Sequence, residues 1–211
     1  MKTSWVEAAR RAAWIAFPAA GIVWLATATY NESWFIAEEG LLLDRASGSG
    51  SLIDNLFSGV NGHLNVVASL VYHLQVKWLG VETHWLVFSA AVASIVLVQL
   101  SLARLLSRLG VPTLVALLVG TTAAFYGPGA QSVFWEFMQV QNLCIALCFF
   151  AASIVLRGAP SSRHAIWAVA ALLAVAFLVD SLVVPFGAFF VGALAAFLWP
   201  RRQVAFVLLV P

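Results

Sequence analysis

Apolar runs long enough to cross a hydrocarbon core of about 30 Å as helices alternate along this chain with short polar gaps. The runs at 12–30, 85–106, 112–126, 133–156, 165–180 and 184–200 predict six membrane-spanning helices, and 203–211 predicts the start of a seventh. The stretch from Ala165 to Pro200 is about twice the length of one span, so it must turn back on itself, and Asp180, Ser181 and Pro185 mark that turn. The last run is far shorter than a span requires. The expectation is therefore a single all-α, polytopic transmembrane domain that forms the front part of a longer chain.

One gap is different. Residues 31–83 form the longest polar segment, yet apolar positions recur within it. Between His63 and Gly80, Val67, Leu70, Val71, Leu74 and Trp78 fall at three- and four-residue spacing, while Asn65, Ser69, His73 and Lys77 make a polar stripe on another face. Sinking His, Gln and Lys into lipid is costly, so the pattern predicts a helix lying on the membrane surface. The Ser/Gly run at 47–51, followed by Leu52 to Phe57, predicts a turn and a second, shorter surface helix.

Charge orients these elements. Nine of the eleven Lys and Arg residues lie in alternate gaps: Lys2, Arg10 and Arg11; Arg104 and Arg108; Arg157 and Arg163; Arg201 and Arg202. Eight of the nine acids fall in the other gaps: Glu32, Glu38, Glu39, Asp44 and Asp54; Glu82; Glu136; Asp180. Cationic loops stay on the cytoplasmic side, which puts the N-terminus inside and the acid-rich segment outside a plasma membrane. Hydrophobic residues make up 63% of the chain and charged ones 9%, with a mean hydropathy of +0.96, against about 25% charged in a soluble domain. The net charge of +2 is spread across two sides, with no concentrated basic stripe, so nucleic acid is excluded as a partner. Ala26-Thr27-Ala28 also fits a signal-peptidase site after an apolar region, and Asn31-Glu32-Ser33 fits a glycosylation sequon. Cys144 and Cys148 sit four apart on one helix face, spaced as small packing residues and without the third ligand a metal site needs.

Chemistry has few places to sit. In the first outer loop, Tyr30-Asn31-Glu32-Ser33-Trp34-Phe35 follows the first span and Val60-Asn61-Gly62-His63-Leu64-Asn65 precedes the surface helix. That helix ends in Trp78-Leu79-Gly80, and the next span closes in an Arg-rich Leu-Gly turn from Arg104 to Gly110. In these motifs and their order the chain resembles the N-terminal half of the GT-C superfamily of integral-membrane glycosyltransferases, whose first outer loop carries an acidic motif and juxtamembrane helices. The resemblance implies a bacterial plasma-membrane enzyme that moves a sugar from a polyprenyl-phosphate donor to a glycan or lipid acceptor hydroxyl at the outer leaflet, with inversion. It implies Glu32 as the general base, which must lie within hydrogen-bond reach of the acceptor. Asn31 stands where many members carry a first acid, so either Glu32 serves alone or the site is altered.

Around Glu32, the residues suited to binding substrate are Asn61 and His63 beside Gly62, Trp34 for stacking on sugar, and Glu136 near the outer end of its span. His73 and Lys77, one turn apart, offer cationic contact to a lipid phosphate. Glu38, Glu39 and Asp44 read as a solvated helix face, although paired carboxylates could also hold a divalent cation. Plainer readings stand beside these: Glu32 as a solvated acid capping the first span, His63 as a helix-start residue facing headgroups. A lipid-linked-sugar transporter or flippase is a second function, disfavoured by spans almost free of polar residues and by the absence of an internal repeat. A non-catalytic membrane subunit or remnant is a third.

Overall fold

The computed structural model describes residues 2–29, 38–59, 64–126, 139–156, 163–179 and 187. Among these the regular structure is entirely helical. The helices are α1 (Lys2–Thr29), α2 (Glu38–Ser47), α3 (Leu52–Phe57), α4 (Val66–Leu79), α5 (Trp85–Arg108), α6 (Thr113–Thr121, continued by a π-helical turn over Thr122–Tyr126), α7 (Gln139–Val155) and α8 (Arg163–Val179).

The apolar clusters fix the direction of each long helix. Leu25 packs with Ile95 and Phe125, whereas Ala13 packs with Ala103, Ala116 and Leu117, so α1 and α6 both run antiparallel to α5. Val87 meets Val140 and Val179, and Val155 meets Val169, so α7 runs parallel to α5 and α8 returns. One end of the bundle therefore carries the end of α1, the start of α5, the start of α7 and the end of α8. Arg10, Arg11, Arg104 and Arg108 gather at the other end, where Glu7 pairs with Arg10 (3.3 Å) and Arg11 (3.4 Å). These pairs, three and four residues apart, favour continued helix. Accordingly α1 starts at Lys2, ten residues before the apolar run alone predicts.

Small residues let the helices approach closely. A Cβ at Gly120 would sit 2.7 Å from the Gln99 carbonyl oxygen, and one at Gly21 would overlap the ring of Phe125. The Gln99 amide donates to Thr121 Oγ1 (2.8 Å), which donates in turn to the Leu117 carbonyl (2.8 Å). α5 ends in a Schellman motif: Val111 N–H bonds the Leu106 carbonyl (3.1 Å) and Gly110 N–H that of Ser107 (3.3 Å), with Gly110 at φ +92°. Pro112 follows, and α6 starts after it.

Length separates these helices. Among the described residues α5 alone is both long and apolar enough to cross a membrane; Thr113–Phe125, Val140–Val155 and Trp167–Val179 are shorter apolar helices. At 1.5 Å per residue the 24 residues of α5 span about 36 Å, and the 17 residues of α7 or α8 about 25 Å. Six full spans are thus more than the described helices supply; the expected runs at 184–200 and 203–211 lie outside the described residues, Gly187 excepted.

α2, α3 and α4 cap the end of the bundle where α5 begins. Contrary to the sequence pattern, α4 is no surface helix, since it packs on α2 and α3 and also on α5, α7 and α8. Ala68 and Tyr72 join Leu42, Val87, Val140, Cys144 and Val179 in one core cluster. Of its polar stripe, Asn65 and Ser69 are buried, while Lys77 is exposed. The periodicity is right for a helix, but part of the polar stripe faces inward: Ser69 and His73 line a recess with Leu42, Arg45 and Ala46 of α2 and Asn55 of α3.

A single side chain ties the cap down. Gln75 is fully buried; its Nε2 donates to the carbonyls of Gly80 (3.0 Å) and Thr83 (2.9 Å), and its Oε1 accepts the Leu86 N–H (2.9 Å). Leu86 lies in the first turn of α5, where N–H groups have no partner within the helix, and the N-cap residue His84 makes no capping bond. Gln75 supplies that cap from α4, across a turn that Gly80 makes at φ +74°. Gln75→Leu keeps the volume but strands one N–H and two carbonyls, a cost of about 1–3 kcal/mol for each group left unpaired. The expected outcome is a lower Tm in detergent, and an unchanged Tm would mean that these groups contribute no net stability.

Candidate functional site

The amphipathic pattern of α2 determines what faces α4. Glu39, Leu42, Leu43 and Ala46 recur at helical spacing on one side of it, and Glu39 and Leu42 are fully or almost fully buried. A carboxylate thus occupies a core-facing position of the cap. Further along α2, Arg45 reaches across to the end of α3, its Nη1 donating to the carbonyls of Ser58 (3.0 Å) and Gly59 (3.2 Å). α3 answers with Asn55, whose Nδ2 donates to the Arg45 carbonyl (3.0 Å). The Ser58 hydroxyl donates to the Asn55 carbonyl (3.1 Å). Gly50 leaves room for this arrangement, since a Cβ there would lie 3.2 Å from Asn55 Oδ1.

Leu42, Arg45 and Ala46 of α2, Asn55 of α3, and Ser69 and His73 of α4 line a recess of about 10 Å³. That volume holds one water-sized group. Ser69 Oγ and His73 Nδ1 are buried, and neither has a hydrogen-bonding partner. Buried polar atoms in folded proteins are nearly always paired, so these two call for a partner that no described protein group supplies. Arg45, Asn55, Ser69 and His73 lining one oxygen-sized space are side chains of the kind that suits an oxygen of a phosphate or of a sugar hydroxyl.

Of the residues singled out from sequence, His73 is in this recess, while Lys77 is exposed one turn further along α4 and is not among the lining residues. Glu32, Trp34, Asn61, His63 and Glu136 lie outside the described residues. Among the described residues no group of three His, Cys, Asp or Glu side chains comes together to hold a metal ion. Arg45 and Asn55 escaped the sequence reading, and Glu39, expected on a solvated helix face, is instead fully buried. Glu39 carried a signal, because an acid in phase with Leu42, Leu43 and Ala46 is on the apolar face and not in a solvated run. Arg45 carried another: with Lys77 it is one of the two Lys and Arg residues outside the four cationic clusters of the sequence.

Replacing Arg45 by Gln removes the fork that holds two carbonyls across a thirteen-residue separation. Hydrogen bonds to a charged group contribute about 1.5–3 kcal/mol, so amide exchange over residues 52–58 is expected to accelerate about tenfold or more, with α5 unaffected. Equal exchange in the two proteins would show that Arg45 does not hold α3. Compared with protein-family models, with curated proteins and with solved structures, the chain matches none.

Proposed function

We propose that this chain is the membrane domain of a glycosyltransferase that moves a sugar from a polyprenyl-phosphate donor to an acceptor hydroxyl at the outer leaflet. In this reading α1, α5, α6, α7 and α8 cross the bilayer with the N-terminus cytoplasmic, and the α2–α4 cap lies on the outer face. The observation that carries the reading is the recess of Arg45, Asn55, Ser69 and His73, at the end of the bundle opposite Arg10, Arg11, Arg104 and Arg108. Positive charge withheld from that end by the topology is nonetheless supplied there by Arg45, beside an imidazole, where an anionic headgroup would need it.

The chemistry assigned to the site is a single displacement. Glu32 follows the last residue of α1 by three positions, which puts it in the segment leading to the cap. Its carboxylate takes the acceptor hydroxyl proton as the oxygen attacks the anomeric carbon, and the donor phosphate departs with the bonding electrons. Arg45 and His73 then stabilise the charge that grows on the leaving phosphate oxygen. Single displacement inverts the anomeric centre.

A lipid-linked-sugar transporter is the second reading, and Gln99 favours it: this side chain is fully buried midway along α5 and its Oε1 has no hydrogen-bonding partner. Polar groups at that depth in a membrane helix commonly mark a substrate path. Here the contact of Gly120 with the Gln99 backbone closes the space between α5 and α6, which weighs against a path.

General-base catalysis contributes about 10²–10⁴-fold. Glu32→Gln is therefore expected to lower transfer from a radiolabelled polyprenyl-phosphate sugar by at least about 10²-fold, at unchanged Tm and unchanged donor binding. Full activity in this variant would remove Glu32 from the mechanism. Absence of transfer by the intact, folded protein from every donor tested would shift the weight to transport.

A further inference from the structure

α5 ends in charge. No Lys, Arg, Asp or Glu interrupts it from Trp85 to Ala103; Arg104 and Arg108 then stand one turn apart, and both are exposed. Like charges at that spacing repel, and no acid offsets them here. Among the described residues neither arginine has a carboxylate partner, since Glu7 pairs with Arg10 and Arg11. Nor are they needed to neutralise the helix end, the usual duty of cations in a last turn. The Leu105 carbonyl accepts the Leu109 N–H (3.1 Å), that of Leu106 accepts Leu109 (3.0 Å) and Val111 (3.1 Å), and that of Ser107 accepts Gly110 (3.3 Å).

Ser107 completes the same helix face, three residues after Arg104 and beside Arg108. Elsewhere on α5 a buried serine spends its hydroxyl on the carbonyl three residues back, as Ser94 does with Ala91 (2.7 Å) and Ser101 with Val98 (3.0 Å). The Ser107 hydroxyl makes no such bond: its oxygen is buried and has no hydrogen-bonding partner. Two guanidinium groups without a carboxylate and a hydroxyl without a partner, all on one turn, are a donor set for an oxyanion. Depth says which kind. At 1.5 Å per residue Arg104 lies about 29 Å along α5 from Trp85, close to the ~30 Å of a hydrocarbon core. With the exposed Trp85 at the headgroup level of one leaflet, Arg104, Ser107 and Arg108 stand at the headgroup phosphates of the other.

We propose that Arg104, Ser107 and Arg108 form a binding site for the phosphate of an acidic phospholipid in the cytoplasmic leaflet. The site rests on the membrane reading of α5 given above and not on glycosyl transfer. Both guanidinium groups donate to the phosphate, and the anion drawn between them brings Ser107 the acceptor that its hydroxyl lacks. A zwitterionic headgroup carries its own ammonium near its phosphate, which two arginines repel, so an acidic lipid is selected. Binding pins the cytoplasmic end of α5, and with it the Gly110 turn that leads into α6, at a fixed depth in the bilayer.

Native mass spectrometry of the full chain in detergent, titrated with phosphatidylglycerol and with phosphatidylcholine, tests the site. The unaltered protein is expected to retain phosphatidylglycerol in preference. Arg104→Gln with Arg108→Gln is expected to weaken that binding about thirtyfold, at about fivefold for each cation near an acidic surface, and Ser107→Ala to weaken it severalfold. Arg10→Gln with Arg11→Gln removes the same charge from the same end of the bundle and is expected to leave binding unchanged. Equal loss in the two double variants, or no preference for phosphatidylglycerol, overturns the site. Displacement of the lipid by an equal concentration of inorganic phosphate overturns it in favour of a soluble anion. A nitroxide at Leu97→Cys, exposed midway along α5, reports the span separately in vesicles, with Cys144→Ser and Cys148→Ala removing the buried cysteines. If the lipid result fails, a label at 97 that collides more with oxygen than with a water-soluble nickel chelate overturns the site alone and leaves the span standing. Nickel access at 97 overturns both.

Discussion

The fully buried amide of Gln75 is the constraint on which the cap depends. It spends its donor on two carbonyls in the turn between α4 and α5 and its acceptor on an N–H in the first turn of α5. A helix start inside a low-dielectric environment cannot leave such groups unpaired without a cost of about 1–3 kcal/mol each. By satisfying them from α4, the chain makes the orientation of α4 a condition for starting α5. The cap and the long helix are consequently one mechanical unit, and the recess on the other side of α4 inherits the rigidity of the bundle.

The bundle is held in a different way. Its helices have few polar groups to pair, and small residues let them come into close contact. Among the described glycines, Gly21 against Phe125 and Gly120 against the Gln99 carbonyl are the two with no room for a Cβ. Cys144 adds a bond from its thiol to the Ala176 carbonyl (3.2 Å), joining α7 to α8, which gives this cysteine a structural use and no redox partner in the fold.

Much of the helical layout was legible in the sequence, and the exceptions have physical reasons. Apolar run length locates α5 closely, because the Trp85 start and the Leu-Gly end are both written in side chains that mark an interface and a Schellman stop. The start of α1 was hidden because charged residues at its N-terminal end look like a loop until Glu7 is seen to pair with Arg10 and Arg11. Periodicity revealed that α4 is a helix but not which side faces in: a polar stripe can face water or a polar interior, and only the partners decide. The same ambiguity concealed the site. His73 stood out as a titratable residue on that stripe, whereas the partnership of Asn55 with Arg45 becomes visible only through the fold, in which the Asn55 amide donates to a carbonyl ten positions away.

In the proposed function a lipid-linked sugar is handled at the cap, where Arg45, Asn55, Ser69 and His73 line one small recess. The most direct measurement is photo-crosslinking of the full chain in membranes with a polyprenyl phosphate bearing a diazirine beside the phosphate, followed by peptide mapping. The account predicts label in the cap, over residues 38–84, reduced when excess unmodified polyprenyl phosphate competes and when His73 and Arg45 are replaced together. Label confined to α6, α7 or α8, or label in the cap that neither competitor nor replacement reduces, would contradict it.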